Sequence, residues 1–247
     1  MAEWQDWLVV IPARLGATRL PRKPLADLKG KPLVVRVYDR VAPLARHGAT
    51  VLVATDHADV MAVLAQHGIP GVMTSADHPS GTDRVREAAA SSNHPLIMNV
   101  QGDEPFIAVS DLERLATSCA ATPSFEMGTL VYKSMNQSDY RTPSVVKCVR
   151  AANAHALYFS RSPLPCFRDG FDSAEGGEFW HHLGVYAFSR KTLDRFCTLP
   201  QGRLEQAEKL EQLRALENSI PILTVEAQHL SIGIDTPDDL RAAHARL

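Results

Sequence analysis

Strand-like runs alternate with segments of helical periodicity over the first hundred residues of the chain. The runs, each bounded by turn-forming or polar residues, are 7–11, 50–54, 69–73 and 96–100. Between them, apolar side chains recur at helical spacing in segments 32–47, 57–67 and 80–90. Strands that alternate with helices predict an α/β fold with a mostly parallel central sheet. Right-handed crossovers then place helices on both faces of that sheet.

The pattern changes after residue 109. Strand-like runs become closely spaced, at 127–132, 145–149, 156–159 and 183–188, around an irregular segment 162–179 that is rich in proline, glycine and charge. We expect antiparallel strands in a β-rich extension over about 127–188. The remaining pattern predicts one helix over 204–216, a strand over 222–225 and a closing helix over 238–246. No internal repeat or linker-like stretch interrupts the chain, so we expect a single domain over residues 1–247.

Composition narrows the class of protein. The 247 residues carry a net charge of -2, which argues against a general nucleic-acid binder, and 45% are hydrophobic, which is ordinary for a globular protein. No apolar stretch approaches the roughly 20 residues that span a bilayer, and the N-terminal segment lacks the features of a secretory signal. We therefore expect a cytoplasmic protein without a membrane partner. The four cysteines form no C-x-x-C pair, which disfavours a zinc site or a disulfide framework.

A basic loop, residues 14–31, follows the first predicted strand. Its single acid is Asp27, and its six cations are Arg14, Arg19, Arg22, Lys23, Lys29 and Lys31. Ligands of open α/β sheets bind at the carboxyl ends of the strands, where this loop begins. Guanidinium and ammonium groups together with loop N–H groups suit a polyphosphate, and the alternative is a solvated basic loop.

Common motifs for other chemistries are absent. The loop contains neither G-x-x-x-x-G-K-[ST] nor G-x-G-x-x-G, which disfavours a P-loop NTPase and a dinucleotide-dependent dehydrogenase. The chain also lacks H-E-x-x-H and G-x-S-x-G, so zinc-protease and α/β-hydrolase functions have no support.

Two aspartates are placed to bind a metal ion. Asp103 follows Gly102 in the turn after the predicted strand 96–100, and we place Asp235 at the end of another strand, just before the helix start at Thr236-Pro237. Carboxylates in such positions can hold Mg²⁺ against a phosphate oxygen, although an aspartate in a turn often only caps its own loop. Two such carboxylates beside a basic loop suggest metal-assisted phosphoryl or nucleotidyl transfer.

Other polar residues carry weaker signals. The segment 80–84 is typical of a capped helix start, with Arg84 directed toward the sheet edge. His182 and Tyr186 share a face if their segment is a strand, and a core or surface pair is the default interpretation. Glu211 and Gln212 follow an apolar position of the predicted helix 204–216, where solvent-facing side chains are expected.

An ordered set of motifs resembles the 3-deoxy-manno-octulosonate (KDO) cytidylyltransferases, also called CMP-KDO synthetases. The motifs cover nearly the whole chain in the order of the family: IPARLGATRLPRKPL at 11–25, VATDH at 53–57, SGTDR at 80–84, NVQGDEP at 99–105, ALYFSR at 156–161, HLGVY at 182–186, LEQLR at 210–214 and GIDTPDDL at 233–240. Each motif is modest evidence, whereas the ordered set is highly specific.

The resemblance implies a nucleotide-diphospho-sugar transferase fold, a homodimer and an Mg²⁺-dependent reaction. In that reaction CMP passes from CTP to the anomeric hydroxyl of KDO, which gives CMP-KDO and pyrophosphate for lipopolysaccharide assembly. Metal ions would activate and orient the hydroxyl, so no covalent enzyme intermediate and no dedicated general base are expected. We expect the β-rich extension to form the dimer contact.

The resemblance also implies roles for individual residues. It implies that Arg14, Arg19 and Lys23 hold the triphosphate and that Asp103 and Asp235 ligate Mg²⁺, with Arg19, Lys23, Asp103 and Asp235 as the catalytic set. It assigns the sugar acid to Arg84, Gln101, His182, Tyr186, Glu211 and Gln212.

The chain departs from the family pattern at three positions. Ala17 stands where a serine is usual, Arg22 replaces a frequent glycine, and Asp83 replaces a glutamate. The first two changes affect the loop that would hold the triphosphate, whereas the third is conservative.

Three alternatives remain open from the sequence. The first is the same reaction on a related sugar acid such as 8-amino-KDO, since a single hydroxyl-to-amine change requires few changes in a pocket. Sialic acid is disfavoured by the Arg-Leu-Pro-x-Lys segment of the basic loop. The second is nucleotidyl transfer to a sugar 1-phosphate, and the third is a non-catalytic protein that binds a nucleotide sugar.

Overall fold

The computed structural model describes residues 3–16, 19–171 and 177–246. The chain divides into two compact units. The first comprises Met1–Leu112 and Ser231–Leu247, and the second comprises Glu113–Leu230. The expectation of a single domain over residues 1–247 stays a prediction.

The first unit is built on four parallel strands in the order β3-β2-β1-β4. They are β1 (Trp7–Ala13), β2 (Thr50–Thr55), β3 (Gly71–Met73) and β4 (Leu96–Asn99). Five consecutive residues of β1, from Trp7 to Ile11, are fully buried. Such a continuous apolar run is typical of an inner strand of a parallel sheet, because helices cover both of its faces. The prediction of parallel strands in this part of the chain is confirmed.

The first unit also contains helices. They are α1 (Leu33–Val41), α2 (Ala58–Gln66), α3 (Gly81–Ala89) and, towards the end of the chain, α9 (Pro237–Arg246). Of these, α1, α2 and α3 lie between successive strands. The predicted helix 32–47 is α-helical only to Val41 and continues as a 3₁₀ helix over Ala42–His47. Pro43 explains the change, because it has no N–H to continue the α-helical hydrogen bonding. A helix that the sequence analysis did not predict, α4 (Val109–Ala121), follows β4.

The second unit combines antiparallel and parallel pairs. Its strands are β5 (Met127–Ser134), β6 (Lys147–Arg150), β7 (Ala156–Ser160), β8 (Phe179–Ser189) and β9 (Ile222–Ala227). The antiparallel pairs are β5 with β8, β6 with β7 and β6 with β8, as predicted for the β-rich extension, while β5 and β9 are parallel. Its helices are α5 (Gln137–Arg141), α6 (Arg190–Thr198), α7 (Arg203–Glu208) and α8 (Leu213–Glu217).

The prediction of one helix over 204–216 is wrong, because the segment breaks between α7 and α8. Lys209 adopts a left-handed conformation with φ 53° and ψ 47°. Arg161 donates from Nε to the Glu208 carbonyl at 2.7 Å and from Nη2 to the Lys209 carbonyl at 3.4 Å. The Glu208 carboxylate in turn accepts from the Ser160 hydroxyl at 2.6 Å. Arg161 thus satisfies the carbonyls at the helix end from a distant part of the chain, and local periodicity does not reveal this contact.

Among the described residues, no helix combines the length and the apolar character that crossing a membrane requires.

Candidate active site

A cavity of about 360 Å³ lies in the first unit, at the carboxyl ends of its parallel strands. This is the edge where open α/β sheets bind ligands. Seven of the eleven predicted site residues line it, namely Arg14, Arg19, Lys23, Arg84, Gln101, Asp103 and Asp235. Residues of the basic loop and the two aspartates therefore line one cavity, as the sequence predicted.

Lys23 links the two aspartates at the floor of this cavity. Its Nζ donates to Asp103 Oδ2 at 2.5 Å and to Asp235 Oδ1 at 2.8 Å, and Arg19 Nη2 lies 3.0 Å from Asp235 Oδ2. Burial alone would lower the pKa of Lys23, but the Asp103 and Asp235 carboxylates outweigh it, and the pKa is raised. Burial likewise opposes ionisation of Asp235, yet Lys23 and Arg19 hold its pKa below the usual range. Lys23 and Asp235 are thus charged at neutral pH.

Asp235 does not lie at the end of a strand, as the sequence analysis expected, but in an irregular segment before α9. The Ile234 N–H donates to the Asp103 carbonyl at 2.9 Å, which brings the two aspartates together. The Asp239 carboxylate accepts from the N–H groups of Asp235 at 3.0 Å and Thr236 at 2.8 Å, and the Thr236 hydroxyl accepts from the Asp239 N–H. This reciprocal capping box fixes Asp235 without a strand.

Gly102 allows the turn that carries Asp103 to pack against β1. A Cβ atom at this position would lie only 2.5 Å from the carbonyl oxygen of Pro12. Real Cβ atoms are essentially never found so close to another atom. The absent side chain is therefore a condition for the position of Asp103.

The donor set at Asp103 and Asp235 fits a divalent metal ion. One cationic group, the Lys23 ammonium, lies within bonding distance of both carboxylates, so their oxygens converge on a single point. In the part of the chain that the structure describes, no cluster of three metal-ligating side chains is present. Two hard oxygen donors with the remaining positions left to water and phosphate are what Mg²⁺ takes in nucleotide sites.

Glu104 is a third carboxylate near this point, and the sequence analysis missed it as a candidate. Burial, then the charge of Asp103, raises the pKa of Glu104 to about 7. Its Oε2 accepts a hydrogen bond from the Ser231 hydroxyl. The only available sequence signal was its place directly after Asp103.

Arg84 is deeply buried beside the cavity. Its Nη2 donates to Asp56 Oδ2 at 2.9 Å, and its Nη1 donates to the Ser75 carbonyl at 3.2 Å and to the Thr74 hydroxyl. The guanidinium therefore has protein acceptors on both terminal nitrogens. Its predicted contact with the sugar acid stays a prediction, as does that of Gln101, whose Nε2 lies 3.4 Å from Asn99 Oδ1.

His78 also lines the cavity, and the sequence analysis did not single it out. Its ring Nε2 bonds to the Glu87 carboxylate, which accepts from the Ser75 N–H at 2.9 Å. This pair ties the segment before α3 to the helix itself. The only signal in the sequence was the position of His78 two residues before Ser80.

The structure describes two of the three positions that depart from the family pattern, Arg22 and Asp83. Ala17 lies outside the described residues. Arg22, at a position where glycine is frequent in the family, has a left-handed backbone with φ 54°, and its Nη2 bonds Asp59 Oδ2 at 2.7 Å. Asp83 takes part in the cap of α3, since its N–H donates to Ser80 Oγ at 3.2 Å and its carboxylate accepts from the Ser80 hydroxyl at 2.7 Å.

A second cluster of predicted residues lies in the second unit, where a hydrogen-bond chain joins four side chains. Tyr186 donates from its hydroxyl to Gln212 Oε1 at 3.0 Å, and Gln212 Nε2 lies 3.4 Å from His182 Nδ1. His182 Nε2 lies 2.9 Å from Thr129 Oγ1, whose hydroxyl donates to the Val185 carbonyl at 2.7 Å. Because the Thr129 proton is used there, His182 donates from Nε2 and accepts at Nδ1.

Burial sets the protonation of this cluster. Desolvation, with a smaller contribution from His181, lowers the pKa of His182 to about 3, so its ring is neutral. Burial, then the nearby charge of Glu211, raises the pKa of Tyr186. Gln212 is only 2% exposed, so the expectation of a solvent-facing side chain is wrong for it. The break at Lys209 explains this, because Gln212 does not continue the face of α7.

The comparisons with known proteins agree with this geometry. Residues 8–223 match the family described as cytidylyltransferase. The chain is similar to the 3-deoxy-manno-octulosonate cytidylyltransferase of Trichlorobacter lovleyi, with 43% identity over 247 residues that cover 97% of this chain and 98% of the relative. It is also similar to a solved CMP:2-keto-3-deoxy-manno-octonic acid synthetase complexed with CTP, at 39% identity, a TM-score of 0.89 and 97% coverage of both chains.

A more distant likeness concerns the fold alone. HddC from Yersinia pseudotuberculosis is 14% identical, with a TM-score of 0.70 over 97% of this chain and 98% of that one. These likenesses confirm the predicted mixed α/β nucleotidyltransferase fold, while a dimerisation role of the β-rich extension stays a prediction. Since the identity exceeds 40% over nearly the full length of both proteins, this chain belongs to the 3-deoxy-manno-octulosonate cytidylyltransferase family.

Proposed function

We propose that this chain transfers CMP from CTP to the anomeric hydroxyl of KDO, which gives CMP-KDO and pyrophosphate for lipopolysaccharide assembly. The observation that carries the proposal is the meeting of Lys23 with Asp103 and Asp235 inside a basic cavity at the carboxyl edge of the sheet. The full-length likeness to a synthetase whose structure contains CTP supports the choice of nucleotide. The names of the relatives support KDO over 8-amino-KDO as the acceptor.

The basic residues of the cavity bind the triphosphate in this proposal. Arg14 and Arg19 are exposed at the cavity and can reach phosphate oxygens with forked N–H donors, whereas Lys23 offers a compact ammonium at its floor. Such cations stabilise negative charge on the departing pyrophosphate. The two arginines thus serve binding and charge compensation, and neither has to act as a proton carrier.

Asp103 and Asp235 are the residues that would hold Mg²⁺. When bound, the metal ion supplies Lewis-acid polarisation of phosphate oxygens and lowers the pKa of the attacking hydroxyl. Lys23 pairs with both carboxylates, and together with Arg19 it holds the pKa of Asp235 below its usual range, which keeps that carboxylate ready as a ligand. Capping by Asp239 and the close packing of Gly102 orient the two ligands in advance.

The sugar acid is assigned to the cluster of His182, Tyr186 and Gln212, with Glu211 beside it, and to Arg84 and Gln101. This assignment depends on the family resemblance. The neutral ring of His182 and the hydroxyl of Tyr186 are oriented by their hydrogen bonds, so the cluster supplies directional contacts for hydroxyl groups. None of these residues is proposed as a general base.

We further propose a homodimer that forms through the β-rich extension over about 127–188. Light scattering coupled to size-exclusion chromatography should then give twice the chain mass of 27.1 kDa. A mass equal to that of one chain at assay concentrations would contradict this part of the proposal.

The reaction is tested by pyrophosphate release from CTP with Mg²⁺ and a panel of acceptors: KDO, 8-amino-KDO, a sialic acid and a sugar 1-phosphate. We expect turnover with KDO, and a clear preference for another acceptor would refute the assignment. Asp103→Asn and Asp235→Asn should each lose about a hundredfold or more in turnover while circular dichroism shows an intact fold.

Asp238→Asn is the matched control, because Asp238 is an exposed acid of α9 that pairs only along its own helix with Arg241 among the described contacts. It should retain full turnover. Near-normal rates in both site variants would exclude the metal-binding role of the two aspartates.

A further inference from the structure

Asp56 stands directly after β2, outside the set of residues to which a substrate contact is assigned. Its side chain is only 16% exposed. Each of its two oxygens has a separate partner in the first unit. Oδ1 accepts from the Leu15 N–H at 3.3 Å, and Oδ2 accepts from Arg84 Nη2 at 2.9 Å.

The first of these bonds reaches the basic loop at its start. Leu15 follows Arg14 immediately, and Arg14 lines the cavity. Residues 14–16, which follow β1, belong to no helix or strand, so a side-chain bond to their backbone limits the conformations that the start of the loop can adopt. A carboxylate is a strong acceptor for a loop N–H.

The second bond, from Arg84, fixes the orientation of the Asp56 carboxylate. The Arg84 side chain is 3% exposed, and it donates to the segment before α3 as well as to Asp56. A buried guanidinium held at several points gives the carboxylate one orientation, so Oδ1 stays directed at Leu15. Asp56 thereby connects the rigid α3 region to the start of the basic loop.

We propose that Asp56 is a positioning residue for the triphosphate-binding loop and that Arg84 orients it. The inference rests on the proposed function, because it takes the basic loop as the site of the CTP triphosphate. Asp56 touches no reacting atom in this role. It lowers the cost of CTP binding by holding the segment at Arg14 in place before the nucleotide arrives.

Asp56→Asn tests the proposal. The amide keeps the size of the side chain but has only one acceptor oxygen, so it cannot accept from Leu15 and from Arg84 on two separate oxygens. We expect the KM for CTP and the dissociation constant of CTP, measured by calorimetry, to rise about tenfold, since losing one hydrogen bond to a charged group is worth about that factor.

Hydrogen exchange supplies a readout that a merely stabilising role would not move. In the protein without nucleotide, amide exchange over residues 14–22 should accelerate in Asp56→Asn, while exchange in β1 and β4 stays unchanged. Asp6→Asn, which removes an exposed acid elsewhere in the first unit, is the control and should alter neither exchange nor CTP affinity. Unchanged exchange together with unchanged CTP affinity would overturn the proposal.

A second variant covers the case in which Asp56→Asn does not fold, since it leaves a buried guanidinium with a poorer partner. Asp56→Leu combined with Arg84→Met replaces the buried pair by apolar side chains but still removes the acceptor for Leu15. Its CTP dissociation constant should also rise about tenfold, and an unchanged value would overturn the proposal.

The two proposals fail in distinguishable ways. CTP binding without turnover of KDO in the unaltered chain would refute the proposed reaction but leave the role of Asp56 measurable. Turnover with an unchanged CTP affinity in the variants would refute only the role of Asp56.

Discussion

Replacing Gly102 with alanine tests how tightly the turn that carries Asp103 is packed. The new Cβ would lie 2.5 Å from the Pro12 carbonyl oxygen, whereas contacts shorter than 3.0 Å are essentially never observed. The turn or the strand must therefore move by about half an ångström or more. Pro12 belongs to β1, which is paired on both sides, so the turn takes most of the displacement.

The displacement has a cost in stability and in activity. Forcing an extra carbon against a fixed backbone costs about 1–3 kcal/mol of unfolding free energy. Asp103 moves with the turn, and its 2.5 Å contact with Lys23 lengthens. Misplacing a catalytic group by about an ångström can cost about a hundredfold in rate. A displacement of about half an ångström therefore predicts a loss of roughly tenfold in turnover.

Urea unfolding and pyrophosphate release measure the two effects of Gly102→Ala. Gly81→Ala is the matched control for stability, because a Cβ there meets nothing nearer than 3.5 Å and Gly81 is the first residue of α3. The control should be neutral or slightly stabilising, by up to about 1 kcal/mol. If Gly102→Ala unfolds within about 0.5 kcal/mol of the unaltered chain and keeps its turnover, the turn is not held against β1.

Three further predictions concern the second unit. Lys147→Met should lower the unfolding free energy in urea by about 3 kcal/mol, because the buried ammonium donates to the carbonyls of Thr142, Val145 and Arg161. Tyr186→Phe should raise the KM for KDO about fivefold and leave the KM for CTP unchanged, since Gln212 loses its donor. His181 and His182 have folded pKa values of about 4 and 3, so below pH 6.5 only the unfolded chain gains their protons. Stability should fall from pH 6.5 to pH 4 by up to about 1.4 kcal/mol per pH unit for each, and an unchanged slope in His182→Gln would contradict this.

The sequence predicted the parts of the fold that depend on local patterns. Each parallel strand of the first unit is a short, mostly apolar run, and polar residues follow within two positions of its end. Because the carboxyl ends of parallel strands share one edge, Arg14 after β1 and Asp103 after β4 could be placed near each other without coordinates. The helix caps at Ser80 and Thr236 were also predictable from local sequence, since each depends on residues only three apart.

Interactions between distant residues explain what the sequence did not reveal. The segment 204–216 has helical periodicity, yet donors on Arg161, 47 residues away, satisfy its carbonyls at Glu208 and end α7. The burial of Gln212 follows from that break and is equally invisible to a local pattern. Asp235 was placed correctly beside Asp103, but through the wrong element, because a backbone bond from Ile234 replaces the expected strand.

The pairing within the cavity also alters how the basic loop acts. The family resemblance implied that Lys23 binds phosphate and that the two aspartates bind the metal ion, as two separate roles. In the structure Lys23 and Arg19 balance the charges of Asp103 and Asp235, so these four groups together carry no net charge. In the proposed function, a triphosphate that draws Lys23 and Arg19 toward itself would leave these two carboxylates uncompensated. In the proposed function, Asp103 and Asp235 would hold Mg²⁺, whose charge would offset theirs, so the two aspartates would contribute to nucleotide binding as well as to the chemical step.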